Sequence, residues 1–272
     1  MGDHGRLAQL EEESVGFADR LREALEPGWA DFPGRVGFAA WNLDEREPVL
    51  FGARRVVNPA STIKVLVMLT ALREVQRGGL ALDTEVRIPD ERVGGAGVLK
   101  DLPGLRCLEL ADAVTLMITI SDNTATNAVI EAVGFEAIGE LAAELGCEGT
   151  QVQRLLMRVR DPGRNTTCAL DQARILDALA RGTVLSPQLT DHALGVLSRQ
   201  QVRDRLPALL PEGARCWNKT GEIDGSRHDV ALIGDQERPR AVVAVLVDEL
   251  ADHRAGVDRI AGLGLRVYAA LD

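Results

Sequence analysis

A serine and a lysine three residues apart stand at the front of an apolar run. Ser61 and Lys64 lie in the stretch NPASTIKVLVML, and residues 65–72 are apolar almost throughout. In a helix, positions i and i+3 share a face, so this hydroxyl and amine can come within hydrogen-bond reach. Burial favours a neutral lysine, and a neutral amine can accept the proton of a serine. The pair therefore predicts a nucleophile and its base, beside helix N–H groups that can stabilise an oxyanion.

A structural role for the same two residues is the alternative. Ser61 could be an N-cap, with Lys64 reaching along the surface to water. A capping box would instead place Glu or Gln at position 64, and a cation in the first turn opposes the helix dipole. These conflicts are small in energy, so the rest of the chain has to decide between the two roles.

Two later motifs carry more polar side chains at element ends. Ser121-Asp122-Asn123 follows an apolar helical segment, and Lys219-Thr220-Gly221 lies in the strand-like stretch CWNKTGE. By itself, the first motif is explained as a helix cap. A lysine on an edge strand would explain the second.

Together the three motifs are the set found in the penicillin-recognising serine acyltransferases. Their order, helix context and spacing most closely resemble class A β-lactamases, and the similarity runs from about residue 35 to the C-terminus. The resemblance implies an α/β, β-lactamase-like fold. Its five-stranded antiparallel sheet has flanking helices, and an all-helical lobe is inserted between its strands.

The resemblance also implies a role for each matching residue. Ser61 is expected to be the nucleophile, Lys64 its proton acceptor and Ser121 a relay to the leaving nitrogen. The backbone N–H groups of Ser61 and Glu222 are expected to form the oxyanion hole. Lys219, also expected to be catalytic, and Thr220 are expected to hold the substrate carboxylate and to orient Ser121. Asn123, Gly221 and Arg227 are expected to bind the substrate, with Arg227 near its carboxylate. For Arg227, which follows Gly225-Ser226, a turn role is the alternative. Gly94-Gly95-Ala96-Gly97 resembles a loop bordering the cleft.

One loop departs from the family pattern. Class A β-lactamases carry a glutamate between the second and third motifs that activates the water for deacylation, but residues 153–170 contain no glutamate. Asp161 is the only carboxylate there, and its neighbours Arg160 and Arg164 favour a salt bridge over a general base. Asn165-Thr166-Thr167 resembles the end of the family's loop. Acylation at Ser61 with slow release is therefore expected.

Three functions remain open at this point. The first is a class A-like β-lactamase. The second is an esterase, thioesterase or peptidase of the same family that acts on a substrate other than a β-lactam. The third is a binding or sensor module that is acylated without productive turnover.

The elements that must position these residues alternate in type along the chain. Helical patterns are predicted over 7–25, over most of 61–200 and over 254–271. A hairpin is predicted from 35–41 and 48–51, and further strands over 214–221, 228–234 and 241–248. We therefore predict an α/β lobe from 1–55 and 207–272, a helical lobe from 56–206, and the active site between them.

Composition limits the other possibilities. The 272 residues carry a formal net charge of -10 and no basic cluster, which argues against a nucleic-acid partner. No apolar run reaches membrane-spanning length, and the N-terminus does not resemble a secretion signal, so a cytoplasmic location is expected. The four cysteines and four histidines lack metal-ligand spacing. No metal or cofactor is predicted, the expected partner is a small acyl substrate, and the oligomeric state is not predicted.

Overall fold

The computed structural model describes residues 15–26, 29 and 31–272. Within them, the strands are β1 Arg35–Asn42, β2 Val49–Phe51, β3 Glu85–Arg87, β4 Cys107–Glu109, β5 Arg215–Ile223, β6 Ser226–Gly234 and β7 Pro239–Asp248. The helices are α1 Phe17–Leu25, α2 Lys64–Arg77, α3 Leu110–Thr119, α4 Asn123–Val133, α5 Phe135–Glu144, α6 Ala169–Ala180, α7 Pro187–Ser198 and α8 His253–Ala269.

Five strands from the two ends of the chain form one antiparallel sheet, in the order β2-β1-β7-β6-β5. The predicted hairpin is confirmed, with Phe38 opposite Phe51 in the β1–β2 register. The three predicted C-terminal strands are β5, β6 and β7. β3 and β4 form a separate two-stranded sheet within the mainly helical region. Each has only three residues and, unlike β2, neither has a partner strand close by in the sequence to mark a hairpin, which explains why they were not predicted.

Both faces of the large sheet are buried. In β7, Val242, Ala244 and Leu246 belong to the core shared with the helices that follow α1. The alternate residues Val243, Val245 and Val247 belong to a second core, with α1 and α8. Because side chains alternate across a strand, this arrangement requires the continuous apolar run at 241–247.

Part of the predicted N-terminal helix lies within the described residues, as α1, which packs Phe17, Leu21 and Leu25 against the sheet. Residues 7–14 of that helix, like the N-terminal segment considered for a secretion signal, lie outside the described residues. None of the described helices has the length and hydropathy that crossing a membrane requires. The division into lobes at residues 55 and 206 stays a prediction.

The start of α2 differs from the simple expectation. The α-helix begins at Lys64, and Ser61 lies in a 3-10 turn, Ala60–Ile63, that leads into it. The backbone N–H and side-chain hydroxyl of Thr62 both donate to the carbonyl of Pro59, at 3.1 and 2.8 Å. These i to i+3 bonds tighten the turn, and in a 3-10 turn residues i and i+3 still lie on one side. Residues 64–73 of α2 are all buried, as its apolar composition predicts.

Candidate active site

Ser61 is held in place by the turn that precedes it. Ala60 has a positive φ of 46°, an uncommon conformation for a residue with a Cβ. The side-chain oxygen of Asn58 accepts a bond from the N–H of Ala60 at 2.9 Å. The carbonyl of Asn58 lies 3.0 Å from Nε2 of His228, a fully buried ring on β6. Since His228 Nδ1 accepts from the N–H of Val247, Nε2 carries the hydrogen and donates it to Asn58.

Gly221 lets β5 approach this turn. A Cβ at Gly221 would lie 3.0 Å from the carbonyl oxygen of Pro59, 3.1 Å from Cγ2 of Thr62 and 3.2 Å from Cβ of Ala60. Those distances are shorter than ordinary van der Waals contact, so a larger residue would push the strand and the turn apart. The structure thus gives Gly221 a packing role beside Ser61.

Lys64 is completely buried and has three oxygen atoms around its amine. Nζ donates to the carbonyl of Ser121 at 2.8 Å and to Oδ1 of Asn123 at 2.8 Å. It also lies 3.0 Å from the hydroxyl of Ser121. A neutral amine has two hydrogens and one lone pair, which suits two obligate acceptors and one hydroxyl.

Burial is the main cause of a strongly lowered pKa for Lys64, and the nearby charge of Lys219 lowers it further, against an opposing effect of Asp122. This favours the neutral form that a base needs. The expected hydrogen bond from Ser61 is absent from the described residues, because the amine of Lys64 is occupied by Ser121 and Asn123. The structure therefore connects Lys64 to Ser121 rather than to Ser61.

The hydroxyl of Ser121 lies between two amines. Besides Lys64, Nζ of Lys219 donates to it at 3.1 Å, and Lys219 also donates to the carbonyl of Thr220 at 2.8 Å. Burial lowers the pKa of Lys219 to about 7, with an opposing effect of Asp229 and a further lowering by Arg205. Ser121 has a positive φ of 60°, a strained conformation of the kind that gathers at functional sites.

Three buried residues around Lys219 were missed by sequence reasoning. Asp229 on β6 accepts from Asn218 and from the N–H of Leu206, and burial raises its pKa to about 6. Arg205 and His228 are the others. They lie in no recognisable motif, and only the fold brings them to β5, so a single sequence offered no signal for them.

The second motif serves both as a cap and as part of the site. Asp122 caps α4 by accepting from the N–H of Ala125 at 2.8 Å, as the alternative interpretation predicted. Its other oxygen accepts from the N–H groups of Val98 and Leu99, at 2.6 and 2.8 Å. A Cβ at Gly97 would lie 2.2 Å from that oxygen, so only glycine fits there. The Gly-rich loop is thus fixed against Asn123 and the site.

An open cleft of about 540 Å³ lies above these groups. That is within the usual range for small-molecule sites. The residues lining it are Ser61, Gly95, Ala96, Ile120, Ser121, Asn123, Met157, Val202, Thr220, Glu222, Ile223 and Asp224. Ser61, Ser121, Asn123, Thr220 and Glu222 were all predicted for the site, and the Gly-rich loop borders the cleft as expected. Lys64 and Lys219 are fully buried beneath it.

Arg227 is placed differently from the others. Its guanidinium donates to the carbonyls of Ile223 and Ser226, and it contacts His253 and the carboxylate of Glu222. It does not line the cleft. The predicted contact with a substrate carboxylate stays a prediction.

Residues 152–165 form a loop along the other side of the cleft. The N–H and carbonyl of Gln151 bond Thr166 at 3.0 Å, which closes its base. The side chain of Asn127 accepts from the N–H of Leu156 at 2.7 Å and donates to its carbonyl at 3.1 Å. The side chain of Asn165 bonds Gln153 and Arg154 in the same way, as a clamp.

A side cavity of about 130 Å³ joins this loop to Ser61. The loop residues that line it are Arg154, Leu155, Leu156, Met157, Val159 and Asn165, and none is a carboxylate. Asp161 lines a different surface hollow, with Glu91 and Arg158. Within the described part of the chain Asp161 forms no ion pair, so the salt bridge expected for it is wrong. Arg158 pairs with Glu91 instead, at 2.8 Å.

The described residues contain no group of three or more His, Cys, Asp or Glu side chains arranged to hold a metal ion.

Comparison with known proteins agrees with this geometry. The profile of the β-lactamase enzyme family matches residues 17–271. The β-lactamase of Sphaerobacter thermophilus is 32% identical, with a TM-score of 0.81 over 94% of this chain and 96% of that one. A reconstructed ancestral class A β-lactamase is 27% identical, with a TM-score of 0.81 over 93% and 99%. A variant of PBP-A, solved as an acyl-enzyme complex with penicillin G, is 28% identical, with a TM-score of 0.84 over 94% and 97%. This chain belongs to the β-lactamase enzyme family and is a class A β-lactamase-like serine enzyme.

Proposed function

We propose that this protein is a serine hydrolase that forms an acyl-enzyme at Ser61 and releases the acyl group slowly. The observation that carries the proposal is the group formed by Lys64, Ser121 and Lys219 beneath the cleft that Ser61 lines. Two buried amines with lowered pKa values meet at one hydroxyl. Structural roles alone would not explain the cost of burying two lysines side by side.

The proposed reaction begins with attack of the Ser61 hydroxyl on the carbonyl of an amide or ester. Lys64 is the final acceptor of the serine proton, and its neutral amine becomes available when it rotates away from Asn123 or Ser121. The carbonyl carbon gains a bond to Ser61 Oγ and loses its bond to the leaving nitrogen or oxygen. Ser121 gives its proton to that leaving atom and recovers one from Lys64, its direct partner.

The carbonyl oxygen becomes negatively charged in the tetrahedral intermediate. We assign its stabilisation to the backbone N–H groups of Ser61 and Glu222, two residues that both line the cleft. Such donors are worth about 10² to 10³ each in rate. Asn123 and Thr220, which also line the cleft, are placed to contact the rest of the substrate.

Slow release follows from what the loop presents to Ser61. Hydrolysis of an acyl-enzyme needs a base within reach of the attacking water. The side chains of the loop that line the cavity beside Ser61 are apolar, amide or guanidinium groups. The one carboxylate that lines this cavity, Glu222, comes from β5 and is paired with Arg205 and Arg227. Asp161 lies outside that cavity. The structure of the PBP-A variant with penicillin G shows that a relative of this fold has been captured as an acyl-enzyme.

The same observation favours a second candidate, an acylated sensor or binding module without turnover. A sensor needs a stable acyl-enzyme, and a loop that presents no carboxylate to the cavity beside Ser61 would prolong its lifetime. The lifetime of the adduct separates the two candidates.

An intact-mass time course with benzylpenicillin and with a small activated ester tests the proposal. We expect a mass increase of one acyl group that decays over minutes to hours, and none in Ser61→Ala. Ser198→Ala is the matched control, because Ser198 lies on α7, where its hydroxyl donates to the carbonyl of Gly195. An adduct that persists in Ser61→Ala would overturn the assignment of the nucleophile. An adduct that never decays would favour the sensor.

A further inference from the structure

Two arginines meet at one carboxylate near the end of β5. Nη2 of Arg205 lies 2.6 Å from Oε2 of Glu222, and Nη2 of Arg227 lies 3.1 Å from Oε1. The side chains of the two arginines are 1% and 12% exposed, whereas that of Glu222 is 56% exposed. Two buried guanidinium groups thus form an anion-binding site, and a carboxylate of the chain itself occupies it.

The other partners of these arginines leave Glu222 as their shared anion. Arg227 otherwise contacts His253 and two carbonyls, which carry no full negative charge. Arg205 has a long contact of 3.6 Å with Asp204 and one of 3.4 Å with the carbonyl of His228. The short bonds to Glu222 therefore balance most of the positive charge of the pair.

Glu222 also lines the cleft, together with Ser61 and Thr220. An anionic group on the β5 side of a substrate would meet this carboxylate rather than the two guanidinium groups. Like charges placed together at a binding site cost affinity. The substrate would have to displace Glu222 and could at best replace its two ion pairs. The tethered carboxylate is already positioned, so its high effective concentration favours it in that competition.

We propose that Glu222 determines specificity and selects acyl substrates that have no anionic group on the β5 side of the cleft. Neutral esters and amides are then preferred over the corresponding free acids. The inference rests on the proposed acylation at Ser61 and names the substrate class for it. It also gives the pair of arginines a function, since they hold the selecting carboxylate at the cleft.

Reversible binding in the Ser61→Ala protein tests this without covalent chemistry. Calorimetry would compare benzylpenicillin with its methyl ester, which differ by one negative charge. We expect the ester to bind about tenfold more tightly when Glu222 is present. In Glu222→Gln, the affinity for the acid should rise about tenfold, which corresponds to one charge-assisted hydrogen bond. The affinity for the ester should change less than about twofold.

Asp224→Asn is the matched control. Asp224 is an exposed carboxylate on the same wall, two residues away, and within the described residues it forms no ion pair. Its neutralisation should leave the ratio of acid to ester affinity within about twofold of the starting value. If Asp224→Asn raised the affinity for the acid as much, the overall negative potential of the cleft, and not Glu222 itself, would discriminate between the acid and the ester.

The proposal is wrong if the acid binds as tightly as the ester in the protein that retains Glu222, or if neither compound binds. That comparison stands even if Glu222→Gln does not fold. It is also independent of the mass measurement. A missing adduct in the parent protein would refute acylation at Ser61, whereas the affinity ratio in Ser61→Ala refutes or supports the role of Glu222.

Discussion

The two sides of the cleft differ in what they offer to a reaction. On one side, which we call the amine wall, Lys64, Ser121 and Lys219 are buried and joined by bonds of 3.0 and 3.1 Å through a single hydroxyl. On the other, the loop wall at 152–165, the backbone is clamped as firmly by Asn127 and Asn165. Its side chains, however, present no carboxylate to the cavity beside Ser61.

This difference shows that a firmly held backbone does not by itself give one side of the cleft groups suited to catalysis. Both walls are held by buried or half-buried hydrogen bonds, but the amine wall also carries two lysines whose pKa values lie below the ordinary lysine value. Burial is the main cause of both lowered pKa values. In the proposed reaction, the amine wall thus supplies the groups for acylation, whereas the loop wall supplies no base for release of the acyl group.

Replacing Lys64 by methionine should slow acyl-enzyme formation the most, because it removes the proposed base from the amine wall. Methionine keeps the length of the buried side chain but cannot accept a proton. We expect the rate of acyl-enzyme formation to fall about 10³-fold, within the usual range for general-base catalysis. The measurement is the rate of mass increase with an activated ester.

Thr70→Val is the control for Lys64→Met. Thr70 is also buried on α2, where its hydroxyl donates to the carbonyl of Leu66 at 2.9 Å. Thr70→Val removes a buried hydrogen bond from the same helix, and Thr70 does not line the cleft. A fall in rate as large as that of Lys64→Met would show that helix integrity, not the amine, controls acylation.

Placing a carboxylate on the loop wall should give that wall the general base that it lacks for hydrolysis of the acyl-enzyme. The backbone of Leu156 is fixed at both its N–H and its carbonyl by Asn127, and its side chain lines the cavity beside Ser61. We expect Leu156→Glu to speed decay of the acyl-enzyme about 10²-fold, the lower end of the range for a general base. The half-life of the adduct by intact mass measures it.

Met157→Glu puts the same charge one residue further along the same wall. Met157 has a positive φ of 63° and is 53% exposed, so a carboxylate there would point largely to solvent. We expect it to change the adduct half-life less than about threefold. If both variants speed decay equally, the loop wall needs only negative charge and not a fixed position.

Much of the fold could be predicted because its signals are local. The apolar runs within β6 and β7 and the polar turn between β1 and β2 mark much of the sheet in the sequence. The start of α2 was less predictable, since the bonds from Thr62 to Pro59 convert the first turn to a 3-10 geometry. β3 and β4 gave no signal because each is only three residues long and, unlike β2, has no partner strand next to it in the sequence.

The residues of the site could be predicted only where they belong to a sequence motif. Ser61, Ser121 and Asn123 line one cleft as expected, with Lys64 and Lys219 beneath it. The partners of those residues were not predictable. Lys64 bonds Ser121 in place of Ser61, and Arg227 bonds Glu222 and His253. The contacts of Lys64 with Ser121 and of Arg227 with His253 join segments far apart in sequence, so only the folded chain determines them.

Lys219→Met should have the smallest effect on the rate of acylation. It changes the amine wall but keeps Lys64, the proposed base. The positive charge of Lys219 opposes protonation of Lys64, second only to burial. Without it the pKa of Lys64 rises, so less of the neutral amine is present at any given pH. The acid limb of the pH profile for acylation should therefore move to higher pH.

At neutral pH, we expect acylation in Lys219→Met to slow about tenfold, since Ser121 also loses one hydrogen-bond donor. The measurement is the rate of adduct formation between pH 5 and pH 10, limits chosen to span roughly the range in which buried lysines titrate. Arg215→Met is the matched control, because it removes a positive charge from the exposed start of β5. A slower reaction with an unshifted acid limb would mean that Lys219 acts on Ser121 alone. A shift would show that the two buried amines of the wall are electrostatically coupled, so that each lysine sets the protonation of the other.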